Sequence, residues 1–216
     1  NGKGGGREMR GRHVAIVGVL VAVSLLIVVR IGIVNACAVE TDYPIEHRQV
    51  GEWIDLDGVF FGTAAEDYSG YSIKVDSVSV TTPRDYLQRN SAKDIDFQDD
   101  LDAESVVEVG FTIRNEDSEE GGLAFYDYLL IPTSRNKYYQ CDVELWDAGQ
   151  PQLGGTMAFS VSPGSEYSLS APFTLKGQPR YFDSYEKMRR VEVMDKTFEL
   201  VLSNAPKRIV VDIDLL

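Results

Sequence analysis

The densest set of groups able to do chemistry is the run Asp94, Asp96, Asp99, Asp100, Asp102 and Glu104. Carboxylates spaced this closely suit a hard cation such as Ca²⁺, provided one tight loop turns several oxygens inward. Asp94-Ile95-Asp96 opens like an EF-hand loop, but no glycine stands at the sixth position, and Ser105 sits where the bidentate Glu belongs. The run therefore reads as a solvated acidic loop, with a calcium site of another type as the alternative. Glu116, Asp117, Glu119 and Glu120, ahead of Gly121-Gly122, read as a turn whose charges protect neighbouring strands from edge pairing.

Nucleophilic chemistry finds little support. The two histidines are His13, in a basic N-terminal tail, and His47, ahead of the first strand signal, so a Ser-His-Asp or Cys-His arrangement has no base unless His47 folds back. Ser184-Tyr185-Glu186-Lys187 matches S-x-x-K without the S-D-N or K-T-G companions that give that motif meaning. There is no G-x-S-x-G, P-loop or G-x-G-x-x-G. Paired carboxylates of a glycosidase remain a rival reading, although nothing in the spacing singles out two of the many acids. With two Cys and two His in 216 residues, zinc fingers and iron–sulfur centres are excluded, and no catalytic residue, metal or cofactor is expected. Cys141 alternates with Tyr139 and Val143 as a small buried hydrophobe would, and pairing with Cys37 is the alternative. Of the aromatic residues that might stack on a ligand, Trp146 and Tyr138 take the outward phase of their expected strand and are the weak binding candidates.

The elements that must carry these groups are mostly strands. Val107, Val109, Phe111 and Ile113 alternate with polar residues as in a half-buried strand. Tyr71, Ile73 and Val75 share a face that Val78 and Val80 resume after a one-residue slip, the mark of a bulge. Residues 123–131 form an apolar run suited to a central strand. Residues 139–145, 157–161, 167–173, 198–202 and 209–215 add further strands, for about eight or nine in all, the number of a two-sheet sandwich. Thr82-Pro83-Arg84-Asp85 combines a capping hydroxyl, Pro at the first helical position and an early acid, predicting a short helix from Pro83 to about Asn90. A second short helix is expected over residues 184–190.

The N-terminus has a different character. Residues 1–13 are Gly-rich and basic, and residues 14–34 are apolar apart from Arg30, long enough to cross a hydrocarbon core of about 30 Å. The positive-inside rule places the tail in the cytoplasm and everything after residue 34 outside, as a single-pass cell-membrane protein. A cleaved signal peptide, or a lipoprotein signal ending at Val34-Asn35-Ala36-Cys37, is the alternative. Residues 35–49 read as a stalk and residues 50–216 as the extracellular domain. The chain's net charge of −13 averages a basic tail with an outer part that, after residue 37, holds 16 basic and 33 acidic residues, a charge of −17. That sign excludes nucleic acid and anionic lipid as partners and points to a protein or a cationic surface.

The segment Val50-Gly51-Glu52-Trp53-Ile54-Asp55-Leu56-Asp57-Gly58, the Tyr71 strand, Phe111-Thr112-Ile113-Arg114-Asn115, Pro163-Gly164 and Ala171-Pro172-Phe173 together resemble a group of uncharacterised membrane-anchored proteins of Gram-positive bacteria. That resemblance implies an all-β fold, an immunoglobulin-like antiparallel β-sandwich preceded by a transmembrane helix, and carries no catalytic residues. The expected function is that of a membrane-anchored, non-enzymatic surface protein whose acidic sandwich serves binding or envelope interaction. A cell-wall or glycan hydrolase and a Ca²⁺-dependent adhesion module are the alternatives.

Overall fold

Residues 43–63, 66, 68–90, 105–134, 137–176 and 193–215, with Val23, are described by a computed structural model, which divides into units 1–42 and 43–216. In the second unit the alternating runs form β1 (Ile45–Gln49), β2 (Trp53–Asp55), β3 (Tyr71–Thr81), β4 (Val106–Asn115), β5 (Leu123–Ala124), β6 (Leu129–Pro132), β7 (Tyr138–Cys141), β8 (Ala158–Phe159), β9 (Ser165–Lys176), β10 (Thr197–Val201) and β11 (Arg208–Asp214). Two helices, α1 (Pro83–Asn90) and α2 (Val143–Gly149), lie between strands. Nine strands join in the order β1-β11-β10-β6-β7-β9-β4-β3-β2, and β5 and β8 make a separate pair. All neighbours are antiparallel except β1 and β11.

The order has a geometric consequence. β1 and β2 occupy opposite ends of the sheet, yet only residues 50–52 separate them. Four peptide steps reach about 14 Å, whereas nine strands laid flat at their usual spacing span about 38 Å. The sheet must therefore fold back until its two ends meet. Gly51, at φ +92°, makes the crossing and donates its N–H to the Val75 carbonyl at 2.7 Å. Phe60 and Ala205 form an antiparallel bridge that brings the two ends together a second time. One buried cluster fills the enclosed space with side chains from both ends, among them Ile54, Ile73, Phe111, Leu200 and Val211.

Several local expectations hold. Helix α1 runs from Pro83 to Asn90 with Thr82 Oγ1 accepting from the Asp85 amide at 3.1 Å. The bulge falls between Val75 and Ser77 and leaves Asp76 outside the ladder, where its carboxylate accepts from Thr112 Oγ1 at 2.5 Å. Cys141 is a buried free thiol, its pKa pushed up by burial and then by the neighbouring Asp142 charge.

Others are corrected. Ile45–Gln49, assigned to the stalk, is an edge strand of the sheet, and His47 Nδ1 lies 3.0 Å from Asp212 on β11. The domain therefore starts before residue 50. The run 123–131 is broken by a turn at residues 125–127 into β5 and β6, since only alternate parts of it can face one core. Strand β4 is buried on both faces rather than one. Tyr86 and Leu87 of α1 pack with Val106 and Leu145 over its outer side, and Arg89 and Asn90 engage the buried Glu108 carboxylate. Among the described residues no helix is long and apolar enough to cross a membrane. The expected span 14–34, Cys37, the acidic run 94–104 and the helix and S-x-x-K motif at 184–190 lie outside the described residues.

Two glycines separate strain from collision. A Cβ on Gly51 meets nothing within 4 Å, so Gly51→Ala costs only the positive-φ penalty, about 1–2 kcal/mol. A Cβ on Gly149 would stand 2.6 Å from the Tyr86 ring, whose hydroxyl donates to the Ser170 carbonyl at 3.0 Å. Alanine's helical advantage of about 1 kcal/mol is outweighed there by overpacking, so Gly149→Ala should destabilise by a net 1–2 kcal/mol or so. Urea unfolding with unchanged m-values checks both, and a stabilised Gly149→Ala contradicts the packing described.

Candidate functional site

A carboxylate collar organises the chain between β2 and β3. Thr63 and Glu66 have the spacing of a capping box, in which the acid reaches back to an amide three residues earlier. Glu66 does so, and takes two further amides: its oxygens accept from the N–H groups of Phe61 (2.7 Å), Gly62 (2.8 Å) and Thr63 (2.8 Å) and from the Tyr68 hydroxyl (2.9 Å). The collar is fixed from beneath, because Phe60 pairs with Ala205 and Asn204 Nδ2 donates to the Phe61 carbonyl at 3.2 Å.

Glu66 and Tyr68 form part of the wall of an open groove of about 410 Å³, completed by residues 121–124 and 158–160. The second wall is β5, whose one strand partner among the described residues is β8. The third is held from both sides. Trp146 Nε1 donates to the Thr156 carbonyl at 2.9 Å, and the Thr156 hydroxyl donates to the Ala158 carbonyl at 2.7 Å. Asn115 Nδ2 donates to the Val161 carbonyl at 2.6 Å, while the Val161 amide donates to the Tyr71 hydroxyl at 3.2 Å. Phe159, half-buried in the groove wall, stacks on Phe125 at a centroid distance of 5.8 Å, joining the wall to the core aromatics.

Charge is distributed unevenly here. For Glu66, burial pushes the pKa up, but hydrogen bonds from Phe61, Thr63, Tyr68 and Gly62 outweigh it and leave the value lowered. Asp127, in the turn after β5, is shifted the other way, by burial and then by the Glu66 charge. The hydroxyls of Tyr68 and Tyr128 are also raised, burial being the main cause in each. Tyr128 is fully buried and its hydroxyl has no hydrogen-bond partner among the described residues. Two carboxylates with pKa values driven apart are the usual basis of an acid–base pair. Here four donors already engage Glu66 and hold its charge in the groove wall.

The two aromatic candidates from the sequence are not brought together. Tyr138 lies half-buried on β7, in alternation with buried Tyr139 and Cys141. Trp146 is 0% exposed and sits within the core, so it is not a surface contact. The physical reason is the cap at Asp142, whose carboxylate accepts from the Glu144 and Leu145 amides, ends the strand at Cys141 and starts α2. The expected alternation through Leu145 thus gives way to helical phase, which turns Trp146 inward. Asp142 ahead of Glu144, with Gly149 closing the segment, is the signal for that change. Glu66 also had a local signal, the T-x-x-E spacing, whereas Asp127 had none, because its environment is made by a separate loop. Among the described residues no group of three or more His, Cys, Asp or Glu is placed to hold a metal ion.

The opposite shifts make a paired prediction. A lowered folded pKa means that Glu66 contributes stability above its unfolded value, near 4.5, and loses it as pH falls through the folded value. Glu66→Gln should therefore destabilise by about 1–3 kcal/mol at neutral pH, with the gap to wild type closing below pH 4.5. Asp127 has a raised folded pKa, so its ionised form opposes folding at neutral pH, and Asp127→Asn should be neutral or stabilising there. Thermal melts between pH 3 and 8 check both signs.

A family model described as a domain of unknown function, DUF5028, matches residues 45–209. No curated protein matches the chain. Among solved structures, the 1.5 Å crystal structure of MPT63, a secreted protein from Mycobacterium tuberculosis, is similar at 14% identity, covering 80% of this chain and 98% of that one with a TM-score of 0.42.

Proposed function

We propose that this chain, which belongs to the DUF5028 family of domains of unknown function, is a membrane-tethered surface protein that presents an acidic immunoglobulin-like β-sandwich as a binding module. The observation that carries the binding reading is the state of Glu66. Glu66, the one carboxylate in the groove wall among the described residues, accepts from three amides and a hydroxyl, which leaves an open groove with a fixed charge. The sandwich reading is supported by a sheet that closes over a single core with its helices on the connections. Tethering is supported by the apolar stretch 14–34, the basic residues before it and the acidic composition after it.

Protease treatment of intact Gram-positive cells expressing the full chain tests the topology. Cleavage of the acidic domain with protection of an epitope in residues 1–13 is the expected result. A domain that resists protease in intact cells and is digested only after lysis overturns it. Purified full-length protein incubated with wall glycan should release no sugar. Release that disappears in Asp127→Asn would transfer the protein to the hydrolases.

A further inference from the structure

Strand β1 differs from the rest of the sheet in what holds it. None of its five side chains is fully buried, and none joins the core cluster. Its one strand neighbour among the described residues is β11, in the parallel pairing that is slightly weaker per residue than an antiparallel one. The Arg208 amide donates to the Pro44 carbonyl at 2.9 Å, which sets the phase of the ladder. Glu46 and Arg48 therefore turn their amides towards β11, and Ile45 and His47 turn theirs outward. Beyond the ladder, β1 is held by the Glu46–Lys207 ion pair and the His47–Asp212 contact, and all four of these side chains are part-exposed. Contacts of that kind add little where solvent screens them. Ordering five residues costs conformational entropy, which the core strands offset by apolar burial and β1 does not.

The junction with β11 also carries an unmet cost. Arg48 on β1 and Arg208, the register partner of Ile45, each leave a buried Nε without a hydrogen-bond partner among the described residues. A donor left in that state favours any arrangement that returns it to water. The core has no need to open with β1. Gln49 and Glu52 close a turn of their own, the Gln49 amide donating to the Glu52 carboxylate at 3.1 Å and the Glu52 amide to the Gln49 carbonyl at 3.2 Å. Gly51 within that turn has open space around it, and its amide is anchored on Val75. The Phe60–Ala205 bridge and the Asn204–Phe61 hydrogen bond join the two ends of the sheet without β1. Strand β11 keeps β10 as a partner, with Ile209, Val211 and Ile213 in the core.

We propose that β1 is a detachable strap, which opens from β11 and closes again as a unit about the Gly51 turn while the closed core stays folded. The chain enters the domain through β1, so an open strap adds residues 45–50, about 20 Å of extended chain, to the segment that follows residue 34. In a tethered module this is a reserve of reach, released where load on the tether enters first. That consequence rests on the tethered reading, whereas the strap itself does not.

Residue-resolved amide hydrogen exchange on the full-length chain in detergent micelles tests the strap. The Glu46 and Arg48 amides should exchange at least a hundredfold faster than those of Val109 and Phe111 in β4, with the Gly51 amide slower than either β1 amide. Gln49→Cys with Asp212→Cys, Cα partners across the ladder, closes the strap covalently when oxidised in a chain that also carries Cys37→Ser. Oxidation should slow Glu46 and Arg48 at least tenfold and leave Phe111 unchanged, and reduction should reverse it. Arg48→Pro removes one bond to β11 and should speed Glu46 exchange without altering that of Phe111 or the melting temperature. Glu46 and Arg48 exchanging as slowly as Phe111 overturns the proposal by making β1 part of the cooperative core. So does an Arg48→Pro chain in which Phe111 quickens along with Glu46. Exchange of β1 at the rate of free chain, indifferent to the disulfide, overturns it from the other side, because the strand is then never closed. Failure of the strap leaves the tethered binding module standing, and a protease result against the tether leaves the strap and removes only its consequence.

Discussion

Everything in this domain depends on a short covalent link. Residues 50–52 join strands that terminate opposite ends of a nine-stranded sheet, so the sheet has to close. Closure turns alternating faces that would each meet water into one shared interior, and it lets Ile54 and Ile73 share a cluster with Leu200 and Val211. It also leaves the connections, not the strands, as the places where backbone can present itself. The collar around Glu66 illustrates this, since its base is fastened to the β10–β11 turn through Phe60 and Ala205.

The same arrangement explains why the polar groups near the groove divide into fixed and available. Backbone amides outside the strand ladders need other acceptors, and at the collar a single carboxylate serves three of them. Asn115 and Tyr71 do the corresponding work for the loop after β8, and Trp146 secures Thr156. These side chains position the walls and are spent in doing so. What stays open in the groove is its shape, part of the Phe159 ring and the fixed negative charge of Glu66.

Features with short-range causes were legible in the chain. The α1 cap at Thr82, the bulge at Asp76 and the burial of Cys141 follow from residues within a few positions of one another. The strand faces around Tyr71, Phe111 and Leu169 were legible for the same reason. Misreadings arose where two local signals competed. Alternation carried the expected strand through Leu145, but the Asp142 cap prevailed because two orphan helix amides bonded to a carboxylate outweigh a weak period-two pattern, and Trp146 moved from surface candidate to core. Strand β4 looked half-exposed because its polar residues Glu108 and Thr112 alternate correctly, and only the packing of α1 against α2 covers that face. His47 looked like a stalk residue because a parallel edge pairing with a strand some 160 positions later leaves no trace in its neighbourhood.

Charge and periodicity belong to the sequence alone. The basic start, the apolar stretch and the value of −17 beyond residue 37 can be read without coordinates, as can the absence of Lys and Arg from residues 49–73, 115–134 and 138–175. What the sequence could not decide is that those three segments meet. Their convergence on one groove, and the raised pKa of Asp127 beside the Glu66 charge, arise from contacts between loops tens of residues apart, whereas the lowered pKa of Glu66 comes from donors within five positions of it. Local sequence encodes the hand, phase and charge of each piece, because those are properties of neighbouring residues. Which pieces share a cavity depends on how a closed sheet returns the chain to itself.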